Sequence, residues 1–86
     1  MEEIYKFESE EKLYSIIGNN VKYYRKLYSL TKSEMTQKDL AKIINVSTSL
    51  IGNLESKNTH QGISVYNLYN ISQALEVPID KFFIDR

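Results

Sequence analysis

Apolar positions in this chain recur at three- and four-residue spacings rather than alternating, a pattern that predicts helices throughout. From Leu13 to about Tyr28, the residues Leu13, Ile17, Val21, Tyr24 and Tyr28 form one stripe, as a helix with a single buried face requires. Gly18 interrupts that helix at a cost of about 1 kcal/mol relative to alanine, and leaves room for close packing. Ser29 to Met35 is polar and reads as a connection. Thr36 then offers a hydroxyl to a backbone N–H that has no partner inside a helix, and Asp39 completes a capping box. Met35 and Leu40 are spaced as a hydrophobic staple around that cap, Val46 and Ile51 repeat it around Ser47, and Ile63 and Leu68 repeat it around Ser64. Leu68, Ile71 and Leu75 continue the fourth stripe, which Glu76-Val77-Pro78 ends because proline disfavours helix at the residue before it. Ile79 to Ile84 reads as a short fifth helix carrying Phe82 and Phe83.

The centre of this pattern is Met35 to Lys57. Its two helix starts lie only eleven residues apart, at Thr36 and Ser47, which leaves room for about two turns of helix and a sharp corner. Asn45 suits that corner, because asparagine tolerates the left-handed backbone conformation that ends helices. Ala41 is small enough for a second helix to cross closely. Ile51 and Leu54 point the same way as Val46, into a shared core, while Thr48, Ser49, Gly52, Asn53 and Ser56 face outward. A helix buried on one side and offering small polar groups on the other is shaped to enter a groove.

The run Q-K-D-L-A-K-I-I-N-V-S-T-S-L-I-G-N-L-E resembles the helix-turn-helix of the lambda-repressor/Cro-like family, also called XRE-type regulators. Ile16–Arg25 (I-I-G-N-N-V-K-Y-Y-R) resembles the family's first helix, and Ser64–Phe83 its last two. The resemblance implies an all-α, compact five-helix DNA-binding domain over residues 13–86, with the helix-turn-helix at helices 2 and 3; the five glutamates of residues 1–12 read separately as an acidic tail or extra turn. It further implies that Arg25 and Glu55 form an internal ion pair; direct contact of Arg25 with phosphate is the alternative, and the pairing could allow both. Three departures stand out. Asn45 replaces the usual turn glycine, and Lys57 stands where a glycine commonly follows the recognition helix. The connection between Arg25 and Thr36 is about five residues longer than in compact members, and its Leu30–Met35 stretch imitates a helix start without the alanine and second cap that must follow.

Composition narrows the reading. Eighty-six residues make one domain with a modest core. Without cysteine there is no disulfide framework and no thiolate zinc site. No apolar run exceeds three residues, so no membrane span is expected, and the acidic start lacks the pattern of a secretion signal, pointing to the cytoplasm. The formal net charge is zero, which argues mildly against a nucleic-acid partner. Its distribution matters more: residues 13–57 hold seven bases against three acids, an excess of four, while residues 1–12 hold five acids against two lysines.

On the outward face, Thr48, Ser49, Leu50, Gly52 and Asn53 are the base-reading candidates. Asn53 can bond adenine N6 and N7 together, Ser and Thr can bond several bases, and Leu50 can touch a thymine methyl or lie half-buried. Thr48 and Ser49 could equally stabilise the first helical turn. Gly52 suggests close backbone approach, to DNA or to another helix. With no Arg, Lys or Gln on this face, DNA shape would supply more of the specificity. Gln37, Lys38, Ser56, Lys57 and Asn58 are the phosphate-binding candidates, Gln37 standing where free N–H groups converge at a helix start. His60, the only histidine, has no partners for catalysis or metal binding. Tyr23, Tyr24, Tyr66 and Tyr69 are expected to finish the core with wet hydroxyls. The leading expectation is a sequence-specific double-stranded DNA-binding regulator, a repressor acting as a homodimer, with Phe82 and Phe83 marking the pairing surface if exposed and closing the core if buried. It needs no cofactor and no metal and is not an enzyme. The alternative is a protein-interaction module of the same fold, an antitoxin or partner-controlled regulator.

Overall fold

A computed structural model describes residues 9–86. The first eight residues of the acidic stretch lie outside that range. Ser9 caps helix α1 (Glu10–Thr31) by accepting from the Lys12 backbone N–H, and Glu10 and Glu11 stand in the first turn, where the helix dipole favours them. Three more helices follow: α2 (Gln37–Ile44), α3 (Thr48–Glu55) and α4 (Val65–Leu75).

The local signals act as their chemistry requires. Thr36 and Asp39 form a reciprocal capping box, and the hydroxyls of Ser47 and Ser64 accept from the N–H groups of Leu50 and Asn67. Asn45 ends α2 at φ 62°, ψ 49°, in the left-handed region. Glu76 takes the same conformation at the end of α4, φ 59°, a strained position for a glutamate.

Two element readings change. The connection expected over Ser29–Met35 is helical as far as Thr31, whose Oγ1 donates back to the Leu27 carbonyl. Ser29 sits in that last turn, and its Oγ accepts from the Met35 N–H at 2.8 Å and donates to the Met35 carbonyl at 3.2 Å, so a helical hydroxyl closes the loop. The fifth helix is a 3-10 helix, η1 (Ile79–Phe83), with no side-chain cap at Pro78. A segment this short does not sustain α-helical hydrogen bonding by itself.

Ile17, Val21, Leu40, Ile51, Leu54, Leu68, Ile71, Leu75 and Phe82 form one core, with α1 against α3 and η1, and α2 against α3 and α4. Gly18 permits the α1–α3 crossing: a Cβ there would lie 1.9 Å from the Leu54 carbonyl oxygen. Phe82 is fully buried and Phe83 half-buried, so the Phe82 ring closes the core and is withdrawn from any pairing surface. Of the four tyrosines expected to finish the core, only Tyr24 does so, packing 5.4 Å from the Phe82 ring. Tyr66 and Tyr69 are 74% and 51% exposed, because the α4 stripe through Leu68, Ile71 and Leu75 turns them away from the core. Tyr23 also faces out and packs edge-on against Tyr24, with the Arg86 guanidinium over both rings.

Candidate nucleic-acid interface

The corner at Asn45 sets α3 across α2, and a row of buried groups holds it there. Ile51 and Leu54 are buried in the core and Glu55 is buried beside them. The Glu55 carboxylate takes Arg25 as a two-pronged partner, Nε to Oε2 at 2.8 Å and Nη2 to Oε1 at 2.9 Å. Arg25 spends its remaining nitrogen on the Met35 carbonyl at 3.0 Å. One N–H of each guanidinium nitrogen is thus engaged inside the molecule, which gives Arg25 a structural role and leaves one N–H on each of Nη1 and Nη2.

The other side of α3 is open. Thr48, Ser49 and Asn53 are exposed, so these three side chains make the outer face. Leu50 is half-buried and packs against the core. Gly52 is half-buried too, and a Cβ on it would meet Gln37 Oε1 at 3.4 Å, the edge of ordinary van der Waals contact. Lys38 and Lys57 are exposed, with no carboxylate partner among the described residues. Lys32, by contrast, pairs with Glu76.

Gln37 is half-buried, and its Nε2 donates to Glu55 Oε1 at 3.0 Å. An amide carries two N–H groups, so this bond leaves one to offer outward. Past α3, Ser56 takes an extended conformation and its Oγ accepts from the Asn58 backbone N–H at 3.1 Å. The Asn58 side chain is exposed. Neither Lys57 nor any other residue of this loop has a positive φ, so the loop does not require a glycine at this position. Thr59 ties the loop to α3 by donating its hydroxyl to the Asn53 carbonyl at 2.8 Å. Nothing in the spacing of the chain marked Thr59. His60 lies 3.2 Å from Glu11, both side chains largely exposed, at the rim of a groove of about 550 Å³ between the start of α1 and this loop.

Asn20 is the other residue that pattern reading passed over. It is 1% exposed, and its Nδ2 donates to the Phe82 and Ile84 carbonyls at 2.9 Å each. Arg86 Nε donates to its Oδ1. The signal was present: Asn20 stands three residues after Ile17 and four before Tyr24, on the apolar stripe, where a polar residue must find partners.

Among the described residues no helix is long and apolar enough to cross a membrane, and no three carboxylate or imidazole groups converge on a metal position. No curated protein matches the chain. A family model described as helix-turn-helix matches residues 21–82, from the middle of α1 into η1 and across the whole of the α2–α3 unit. With Asn45 at the corner, α3 exposed on one side and most of the chain inside that match, the protein belongs to the helix-turn-helix family of lambda-repressor/Cro-like, XRE-type DNA-binding regulators.

Proposed function

We propose that this protein is a sequence-specific repressor that reads the major groove of duplex DNA with α3 and occupies its operator as a homodimer. The observation that carries this reading is the division of α3: Ile51, Leu54 and Glu55 lock it to the scaffold while Thr48, Ser49 and Asn53 stay exposed. A rigidly held helix of about 12 Å breadth fits a groove of that width. Asn53 is the bidentate reader, for adenine; Thr48 and Ser49 add single bonds, and Leu50 and Gly52 shape the surface between them. Lys38, Lys57, Asn58 and Ser56 hold the backbone on either side, together with the second amide N–H of Gln37. No reaction is required, since occupancy itself blocks competing proteins.

Selection of bound duplexes from a random pool tests this. The expected product is a pair of related half-sites about one helical turn apart, bound with a steep salt dependence. Failure to retain any duplex at low salt would overturn it.

A second reading, a partner-controlled interaction module, draws on Val65, Tyr66 and Tyr69, which are 79%, 74% and 51% exposed on α4. A pull-down in which Asn53→Glu keeps a protein partner while duplex binding was never present would favour it.

A further inference from the structure

Besides the stripe it buries, α1 carries an apolar stripe that faces solvent. Tyr23, Leu27 and Leu30 follow one another at i, i+4 and i+7, so they share one face of the helix. They are 47%, 40% and 85% exposed. Bases line both edges of this face. Lys22 and Lys26 run along one edge, exposed and without a carboxylate partner among the described residues. On the other edge the Arg86 guanidinium lies over the Tyr23 ring, 4.3 Å from its centroid, held there by Asn20 and the Tyr24 hydroxyl.

A partner for this face must be apolar and acidic at once, and the chain contains such a segment. Met1–Glu8 sets Ile4, Tyr5 and Phe7 among Glu2, Glu3 and Glu8, three acids against the single base Lys6. We propose that Met1–Glu8 of one copy docks on the Tyr23–Leu27–Leu30 face of a second copy, which returns the contact, so that the chain pairs by exchanging arms. The proposal rests on the homodimer reading above and supplies its pairing surface. Length decides between a contact within one chain and a contact between two. Eight fully extended residues reach about 26–29 Å. Leu30 lies about 31 Å along the helix from Ser9, at about 1.5 Å per residue, so a chain's own arm falls short of it. Only a second copy can cover the whole face. The exposed Val65, Tyr66 and Tyr69 of α4 make no such selection, because α4 holds no charged residue to favour an acidic segment.

Two variants of the full chain test this by sedimentation without DNA. Glu2→Lys/Glu3→Lys reverses the arm, and Lys22→Glu/Lys26→Glu reverses the face. Each alone should raise the dimer Kd roughly tenfold or more, since like charges then meet. Mixed in equal amounts, the two should pair with each other at wild-type strength, because every arm meets a face of opposite sign. Leu30→Glu should by itself weaken pairing about tenfold or more. Lys22, Lys26 and Leu30 are all exposed, so helical circular dichroism should stay that of wild type. A wild-type chain that stays monomeric, reversed variants that do not pair on mixing, or a dimer that survives both reversals would each overturn arm exchange. A dimer lost on Tyr66→Glu but kept in the reversed variants would place pairing on α4 and overturn it equally. None of these results bears on whether α3 retains a duplex, which binding to a selected duplex measures separately.

Discussion

Arg25 and Glu55 stand 30 residues apart in the chain and meet as a two-pronged ion pair that is almost wholly buried. A pair taken this far out of water is held by its geometry and by the flanking bonds from Met35 and Gln37, since desolvation offsets much of the attraction. Arg25→Met should cost on the order of 3–5 kcal/mol, because it strands the Glu55 carboxylate. The Arg25→Met/Glu55→Leu double variant should regain most of that stability. Denaturant titrations check both; a double variant as unstable as the single would show that the pair itself, and not the stranded charge, carries the energy.

Gly18 reverses an ordinary expectation. In a helix, glycine to alanine usually gains about 1 kcal/mol. Here the new methyl would sit 1.9 Å from the Leu54 carbonyl oxygen, so α3 must move away from α1. Gly18→Ala should destabilise by roughly 1–3 kcal/mol, read as a lower Tm. A Tm at or above wild type would mean that the helices do not cross this closely.

Asp39 links stability to pH. Its carboxyl is held below its ordinary value of 3.8, first by the Thr36 backbone N–H, then by the Thr36 hydroxyl and by the nearby charges of Lys38 and Lys42. The native state therefore binds the proton less readily than the unfolded chain does. The contribution is complete above the ordinary value and is lost as pH falls from there through the lowered folded value. The Tm advantage of wild type over Asp39→Asn should be level near neutral pH and shrink below about pH 4. A gap that widens on acidification would contradict the capping role.

Asn53 is exposed, so its replacement should leave stability within about 0.5 kcal/mol of wild type. Asn53→Ala should instead reduce discrimination between selected and random duplexes by about 1–3 kcal/mol. Competition binding at fixed salt measures the difference, and an equal loss on both duplexes would remove Asn53 from the base-reading set.

Several of these residues were visible along the chain. Thr36, Asp39, Ser47, Ser64 and the three staples act across five residues or fewer, so short spacing is enough to find them. Gly18 was marked by its cost to the helix and the room it leaves, but what packs into that room depended on a helix more than thirty residues away. Gln37 shows the same limit. Its place at a helix start pointed to a phosphate, and the identity of its neighbour, Glu55, came only from the fold.

Periodicity and capping chemistry by themselves determined the helical class, the corner at Asn45 and the outward face of α3, because each depends on neighbours within a turn of helix. Only the tertiary structure decided that Phe82 is core while Tyr66 and Tyr69 face out, that Asn20 ties down the chain end, and that Glu76 accepts a left-handed conformation. The physical reason is reach: a cap is satisfied by atoms its own segment carries, whereas burial, helix crossing and buried hydrogen bonds are settled by which distant surfaces come together.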